Sequence, residues 1–494
     1  MPEEKEKPKD STDDKPKNGD AKKPEVVEEK ESKTEHTVRI AKKQVRYEAV
    51  ARTTTLKDAE GKDKASVFSI SYTRLPEGDA ADRPILFSFN GGPGSSSVWL
   101  HLGLFGPRMI DLGPGETPAK PPYRLTDNDA SLLDLCDLVF IDPVSTGYSR
   151  PAPGEEAKQF HGVKEDAEWV AEYIRHHLGR TKRWTSPKFL AGESYGTTRA
   201  AALSDLLQDR HGISLNGVML ISAVLNFQTI NYQRINDILP YLTYLPSYAT
   251  TAHYHGKLAK SAGNVHKVAD AAEEFALDEY GPALMLGRRL DSRRRAALVA
   301  RLSELTGLKP DVIDANNLRV QPHRFMKELL RDQGRTVGRL DSRFTGIDYD
   351  RGGESPEYDP LFPFIMGGYT AAFNQYVRTE LDFESDVNYE ILKGGLDWNY
   401  GQAGQNRYVD VSENLRAAMT KNRDLRVLVA SGLYDLGTPH FAAEWTMDHM
   451  PLDPSIADHV TTTRYESGHM MYIHEPSLLQ LRKDLVDFVK QATK

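Results

Sequence analysis

The chain has 494 residues, 39% of them hydrophobic and 27% charged, and a formal net charge of −8. That length accommodates one large α/β domain with an insertion, or several ordinary domains. The acidic balance argues against a general nucleic-acid binder. No run of eighteen or more apolar residues occurs, so no membrane span is expected.

In chain order, residues 1–37 form a low-complexity run of mixed charge, typified by Glu3-Glu4-Lys5-Glu6-Lys7, and the first aromatic residue is Tyr47. Such a segment buries too little apolar surface to offset its ordering entropy, and a disordered, solubilising tail is expected. It carries no secretory signal, which gives a cytoplasmic location by default, or an exported one where a signal was removed upstream. Order is expected to begin near Val38, with strands over Val38–Tyr47, Ala49–Thr55 and Ala65–Tyr72.

Short, continuously apolar runs follow at Pro84–Asn90, Leu138–Ile141, Lys188–Ala191, Val218–Ile221 and Val427–Ala430. They read as strands buried on both faces. Between them Val163–Leu178 and Thr198–Leu207 repeat apolar residues at helical spacing, and Pro476–Thr493 closes the chain as an amphipathic helix. The alternation predicts a mostly parallel sheet covered by helices on both faces. Cys136, the only cysteine, sits on the approach to one of these strands and is read as a buried structural residue.

The rhythm breaks between about Gln228 and Gly404, where helical stretches such as Gly287–Leu302 and Pro322–Arg331 predominate. The expected organisation is a first core segment over 38–227, a mostly helical cap over 228–404 and a second core segment over 405–494. The cluster Arg288-Arg289 with Arg293-Arg294-Arg295 is compatible with an anionic-ligand site, but a solvated helix face is the simpler reading.

The most informative local pattern is Gly192-Glu193-Ser194-Tyr195-Gly196, a G-x-S-x-G between a strand and a helix. Glycines there permit the tight turn that lifts a serine hydroxyl clear of the sheet, as in the nucleophile elbow of the α/β-hydrolase fold. Serine is a weak nucleophile and needs a base and an orienting acid, which this fold supplies in the chain order Ser, acid, His. Asp435 follows the strand Val427–Ala430, and His469 follows the strand Val460–Tyr465 beside Gly468. They are the expected partners of Ser194, and His440 and His474 read as solvated loop residues.

The glycine-rich block Asn90-Gly91-Gly92-Pro93-Gly94-Ser95-Ser96-Ser97 lacks the lysine of a Walker motif and the spacing of a dinucleotide fingerprint. It fits an oxyanion-hole loop, which in this fold follows an early strand.

Taken in order, Asn90–Gly94, the block Asp142-Pro143-Val144-Ser145-Thr146-Gly147-Tyr148-Ser149, Gly192–Gly196 and Gly468-His469-Met470 resemble the serine carboxypeptidase family. The resemblance implies Ser194, Asp435 and His469 as the catalytic triad, and the Gly92 and Tyr195 N–H groups as the oxyanion hole. It also implies that Asn90, the Gly91 N–H and Glu193 bind the C-terminal carboxylate of a peptide, with Glu193 donating only when protonated. Three departures point to a divergent, bacterial-like branch without disulfides. Ser95 stands where the family commonly has cysteine. Leu104 stands where it commonly has the glutamate partner of the carboxylate-binding residue. Thr197-Thr198-Arg199 follows the elbow in place of the usual second glycine.

The expectation is therefore a serine carboxypeptidase acting on peptides with a free C-terminus, with no metal and no organic cofactor. An esterase or acyltransferase using the same three residues is the nearest alternative. A non-catalytic binding protein on the same fold is the second.

Overall fold

The computed structural model describes residues 29–75, 82–113, 120–232, 234, 236–259, 261, 263–401 and 408–494. A long antiparallel meander opens it: β1 (Glu31–Ile40), β2 (Lys43–Lys57) and β3 (Asp63–Leu75). Four buried strands follow, β4 (Ile85–Phe89), β5 (Asp137–Ile141), β6 (Lys188–Glu193) and β7 (Gly217–Ile221). The sheet is completed late in the chain by β8 (Arg426–Gly432) and β9 (Val460–Tyr465). The spatial order is β1-β2-β3-β5-β4-β6-β7-β8-β9, with the short strand Arg150–Pro151 added beside β3. From β5 onward every pairing is parallel. Strands β4 to β7 are buried along their whole length, as continuous apolar runs require when helices cover both faces.

Order begins earlier than the sequence suggests. β1 starts at Glu31, within the stretch expected to be disordered, and pairs residue for residue with β2 from Glu31↔Arg52 to Ile40↔Lys43. Its first seven residues alternate only between exposed and half-buried, because it is an edge strand held by backbone pairing. The expected strand Val38–Tyr47 is instead a hairpin: Ala41 and Lys42 turn with φ of 47° and 66°, which reverses the chain. Residues 1–28 of the expected tail lie outside the described residues.

Helices α1 (Val163–Thr181) and α2 (Tyr195–His211) pack on one face of the sheet. The cap contains α3 (Leu239–Tyr254), α4 (Val265–Phe275) and α5 (Ser292–Thr306), with its own apolar core around Tyr248, Phe275, Leu302 and Phe325. Helix α6 (Leu361–Thr379) packs its Phe364, Tyr369, Phe373 and Tyr376 into the core on the other face of the sheet, with Trp99, Leu102 and Phe140. Further helices follow at α7 (Ser412–Lys421), α8 (His440–Asp448) and α9 (Glu475–Ala492). Cys136 is buried in the same core as α6, and burial pushes its thiol up to about 12, out of reach of thiolate chemistry.

The cap is tied to the core by polar contacts. Thr250 Oγ1 donates to Leu433 O at 2.6 Å, next to the loop carrying Asp435. Arg464 on β9 pairs with Asp270 and Glu273 of α4 and with Glu444 of α8. His440, expected as a solvated loop residue, is fully buried in this seam between Ser247 and Glu273.

Candidate active site

The loops at the C-terminal ends of β4, β6, β8 and β9 converge. Ser194 follows β6 with φ 58° and ψ −129°, a conformation L-residues rarely adopt. The flanking glycines make the turn feasible. A Cβ on Gly192 would stand 2.1 Å from Gly196 O, and one on Gly196 would stand 2.7 Å from Phe89 O. Only two residues without side chains let strand, turn and helix approach this closely. The turn is held by Ser194 N donating to Ile221 O at 3.0 Å and by Thr197 N donating to Ser194 O at 2.8 Å.

Asp435 and His469 meet. His469 Nδ1 lies 2.7 Å from Asp435 Oδ2. The Asp435 carboxylate is fully buried and saturated: Gly437 N and Thr438 N donate to Oδ1 at 2.7 and 3.0 Å, and Thr438 Oγ1 reaches Oδ2 at 2.8 Å. Burial pulls the His469 imidazole down, but the charge and hydrogen bond of Asp435 outweigh it and hold it above the ordinary histidine value. His469 joins the elbow through Ser222, which sits next to Ile221 and donates from Oγ to His469 O at 2.6 Å. Among the described residues no hydrogen bond links Ser194 Oγ to His469, and Ser194 is half-buried and reachable.

The glycine-rich loop lies directly against the start of α2. A Cβ on Gly91 would stand 2.4 Å from Tyr195 N. The Gly92 N–H donates to no described residue, and the Tyr195 N–H, in the first turn of α2, has no acceptor within its own helix. Both donors are thus free to serve a developing anion. The loop is held from behind by Asp142, whose Oδ1 accepts from Ser97 N at 2.8 Å, which accounts for the second sequence block.

Asn90 and Glu193 also come together. Asn90 Nδ2 donates to Glu193 Oε2, while Asn90 Oδ1 accepts from Leu100 N at 3.0 Å. Glu193 is buried, and its Oε1 has no hydrogen-bond partner among the described residues. Burial pushes its carboxyl up to about 7, against the lowering effects of His469, Tyr472 and Asn90. A carboxyl group held there is in part a neutral donor at pH 7.

Three contributors escaped the sequence reading. Tyr472 OH donates to Glu193 Oε2 at 3.1 Å. Leu104, which replaces the usual acidic partner, is buried in the apolar core, and Tyr472 from the histidine loop supplies the contact with Glu193. Thr438 braces Asp435 and also donates toward Ser222 O at 3.0 Å. Arg199, noted only as a departure, is 1% exposed, pairs through Nε with Asp166 Oδ2 at 2.6 Å and donates from Nη1 to Asn90 O at 2.6 Å. Tyr472 and Arg199 carry no local signal, because each meets its partner through the tertiary fold.

Residues 62–475 match the serine carboxypeptidase family. The chain belongs to that family. Serine carboxypeptidase-like 33 of Arabidopsis thaliana is 26% identical over 160 residues, which is 30% of each chain. Serine carboxypeptidase-like 29 of the same plant is 29% identical over 150 residues, 29% of this chain and 30% of its own. The chain thus spans under a third of the length of these curated relatives. Kex1(delta)p, a prohormone-processing carboxypeptidase from Saccharomyces cerevisiae, shares the fold with a TM-score of 0.51 at 14% identity, over 90% of this chain and 91% of that one. This serine carboxypeptidase-family protein has an α/β-hydrolase fold. Among the described residues no helix is long and apolar enough to cross a membrane, and no group of acidic, histidine or cysteine side chains is placed to hold a metal ion.

Proposed function

We propose that this protein is a serine-type carboxypeptidase that releases C-terminal residues from peptides through an acyl-enzyme on Ser194. One observation carries the reading: the buried Asn90–Glu193 pair stands immediately beside Ser194, with Glu193 Oε1 unpartnered among the described residues. A partly protonated carboxyl and an amide donor, adjacent to a nucleophile, suit the free carboxylate that distinguishes a chain end from an internal bond.

In the proposed reaction His469 takes the proton of Ser194 Oγ as that oxygen attacks the last peptide carbonyl. Asp435 orients the imidazole through Nδ1 and stabilises its cation. The Gly92 and Tyr195 N–H groups receive the oxyanion. His469 then protonates the departing amino acid, and water activated by the same imidazole releases the shortened peptide. Asn90, the Gly91 N–H and Glu193 hold the terminal carboxylate. The raised Glu193 and His469 influence one another, so their titration belongs to the pair. A pH–rate profile centred near neutrality is expected for peptides.

Assay of N-blocked dipeptides across pH tests the reading. Release of the free C-terminal residue, abolished in Ser194→Ala, supports it. Brisk ester turnover with no such release at any pH would make the protein an esterase or acyltransferase. A sharply acidic optimum that vanishes in Glu193→Gln would count against the neutral profile.

A further inference from the structure

The cap carries an open cavity of about 1100 Å³ whose lining departs from the acidic balance of the whole chain. Arg288, Arg295, Arg319 and Arg324 face it, and Glu354 is the only carboxylate among its described lining residues. Arg295 is paired with Asp314 at 2.7 Å, and Arg324 with Glu328 at 2.9 Å and Glu354 at 3.3 Å. Arg288 and Arg319 form no ion pair with any described residue. The Nε atoms of Arg319 and Arg324 are buried without hydrogen-bond partners among the described residues. The structure thus divides the sequence cluster. Arg289, Arg293 and Arg294 are exposed and off the lining, whereas Arg288, itself exposed, and the half-buried Arg295 line the cavity.

The cavity is linked to Ser194's partners by a further arginine. Arg339 O accepts from Leu436 N at 2.8 Å, beside Asp435. A Cβ on Gly437 would stand 3.2 Å from Arg339 Nη1 and 3.1 Å from Asp435 Oδ1, so the guanidinium lies over the turn that carries the acid. Arg339 is exposed and forms no ion pair with a described residue. Its charge acts on His469 on one side and, on the other, on Tyr232 and His323, which line the cavity and touch at 2.8 Å. Arg339 thus adds a cation over the Asp435 turn, and Arg319 and Arg288 face the cavity without ion-pair partners among the described residues.

We propose that the cap cavity is a binding site for acidic residues in peptide substrates, on the N-terminal side of the scissile bond. The carboxypeptidase reading supplies which part of the peptide lies there, since Asn90 and Glu193 claim the C-terminal end. An extended chain advances roughly 3.3 Å per residue, so peptides of about four to six residues extend well beyond the clamp. Arginine forks recognise carboxylates through paired N–H groups, and the half-buried Arg295, Arg319 and Arg324 are shielded from salt better than an open surface would be.

The test compares hexapeptides carrying Glu, Gln or Lys upstream of the scissile bond, with a common last dipeptide. The wild type is expected to favour Glu over Gln by roughly tenfold in kcat/KM and to disfavour Lys, with the preference weakening at high salt. Arg288→Gln combined with Arg319→Gln should bring the Glu/Gln ratio near unity, whereas Arg293→Gln with Arg294→Gln should leave it intact. Binding of labelled Glu and Gln hexapeptides to Ser194→Ala protein reads the same preference without turnover. Equal affinity for the two, with normal cleavage of blocked dipeptides, overturns the cavity proposal alone. A retained Glu preference in binding, with no dipeptide cleaved, removes the carboxypeptidase reading and leaves the acidic-ligand site standing.

Discussion

The elbow region and the cap are built on opposite principles. Around Ser194 the positions are set by backbone: glycines that admit no Cβ, strand ends in parallel register, and an Asp435 whose oxygens are all engaged. In the cap the distinctive feature is a set of long cationic side chains around a cavity, two of them without ion-pair partners among the described residues. The first arrangement tolerates little change and in the proposed reaction serves chemistry; the second is adjustable and in the proposed reading serves selection. Substitutions near the elbow should cost rate or stability, and substitutions in the cap should cost selectivity.

The largest expected effect lies at the nucleophile. Ser194→Ala should lower kcat/KM by about 10⁴-fold or more while the thermal midpoint holds or rises, because alanine removes the nucleophile without disturbing the turn. Asp435→Asn should cost on the order of 10³- to 10⁴-fold in kcat, measured on blocked dipeptides, through loss of the imidazole's orientation and cation stabilisation. If Asp435→Asn retained near-normal turnover, the proposed role of the buried carboxylate would be lost.

A stability effect comes next. Arg199→Ala strands the buried Asp166 carboxylate, and breaking such a pair costs about 3–5 kcal/mol in denaturant unfolding. A change within about 0.5 kcal/mol would show that Asp166 is neutral in the folded protein.

Glu193 gives a pH signature. Its carboxyl stands at about 7 folded against an ordinary 4.5, so between those values the folded protein binds more protons than the unfolded chain. Its contribution to unfolding free energy therefore falls as pH rises from 4.5 to about 7, by on the order of 3 kcal/mol. Glu193→Gln should flatten that slope. Tyr472→Phe removes a hydrogen bond that favours the ionised form, so the alkaline limb of peptide hydrolysis should move to higher pH. An unmoved limb would make Tyr472 a packing residue only. The smallest effect belongs to the outer cap: Arg293→Gln with Arg294→Gln should change stability by no more than about 0.5 kcal/mol.

The sequence by itself determined the sheet strands, the elbow and the approach of Asp435 and His469, because each depends on local backbone geometry or on a strand end. Continuous apolar runs marked β4 to β8 within a residue or two, and Val460–Tyr465 matched β9. Glycines at 192 and 196 announced the tight turn, which leaves no room for a Cβ at either position. Tertiary structure alone decided the rest. Strand β1 is too polar to be legible and exists because β2 pairs with it. Helix α6 leaves the insertion for the core because its aromatic face fits Trp99 and Phe140, partners more than 200 residues away. Tyr472 reaches Glu193 across 279 positions and Arg199 reaches Asn90 across 109, separations at which no spacing rule applies. Which arginines of the cap face a cavity and which face water was likewise a matter of packing, since charge in a sequence carries no direction until the helices are placed.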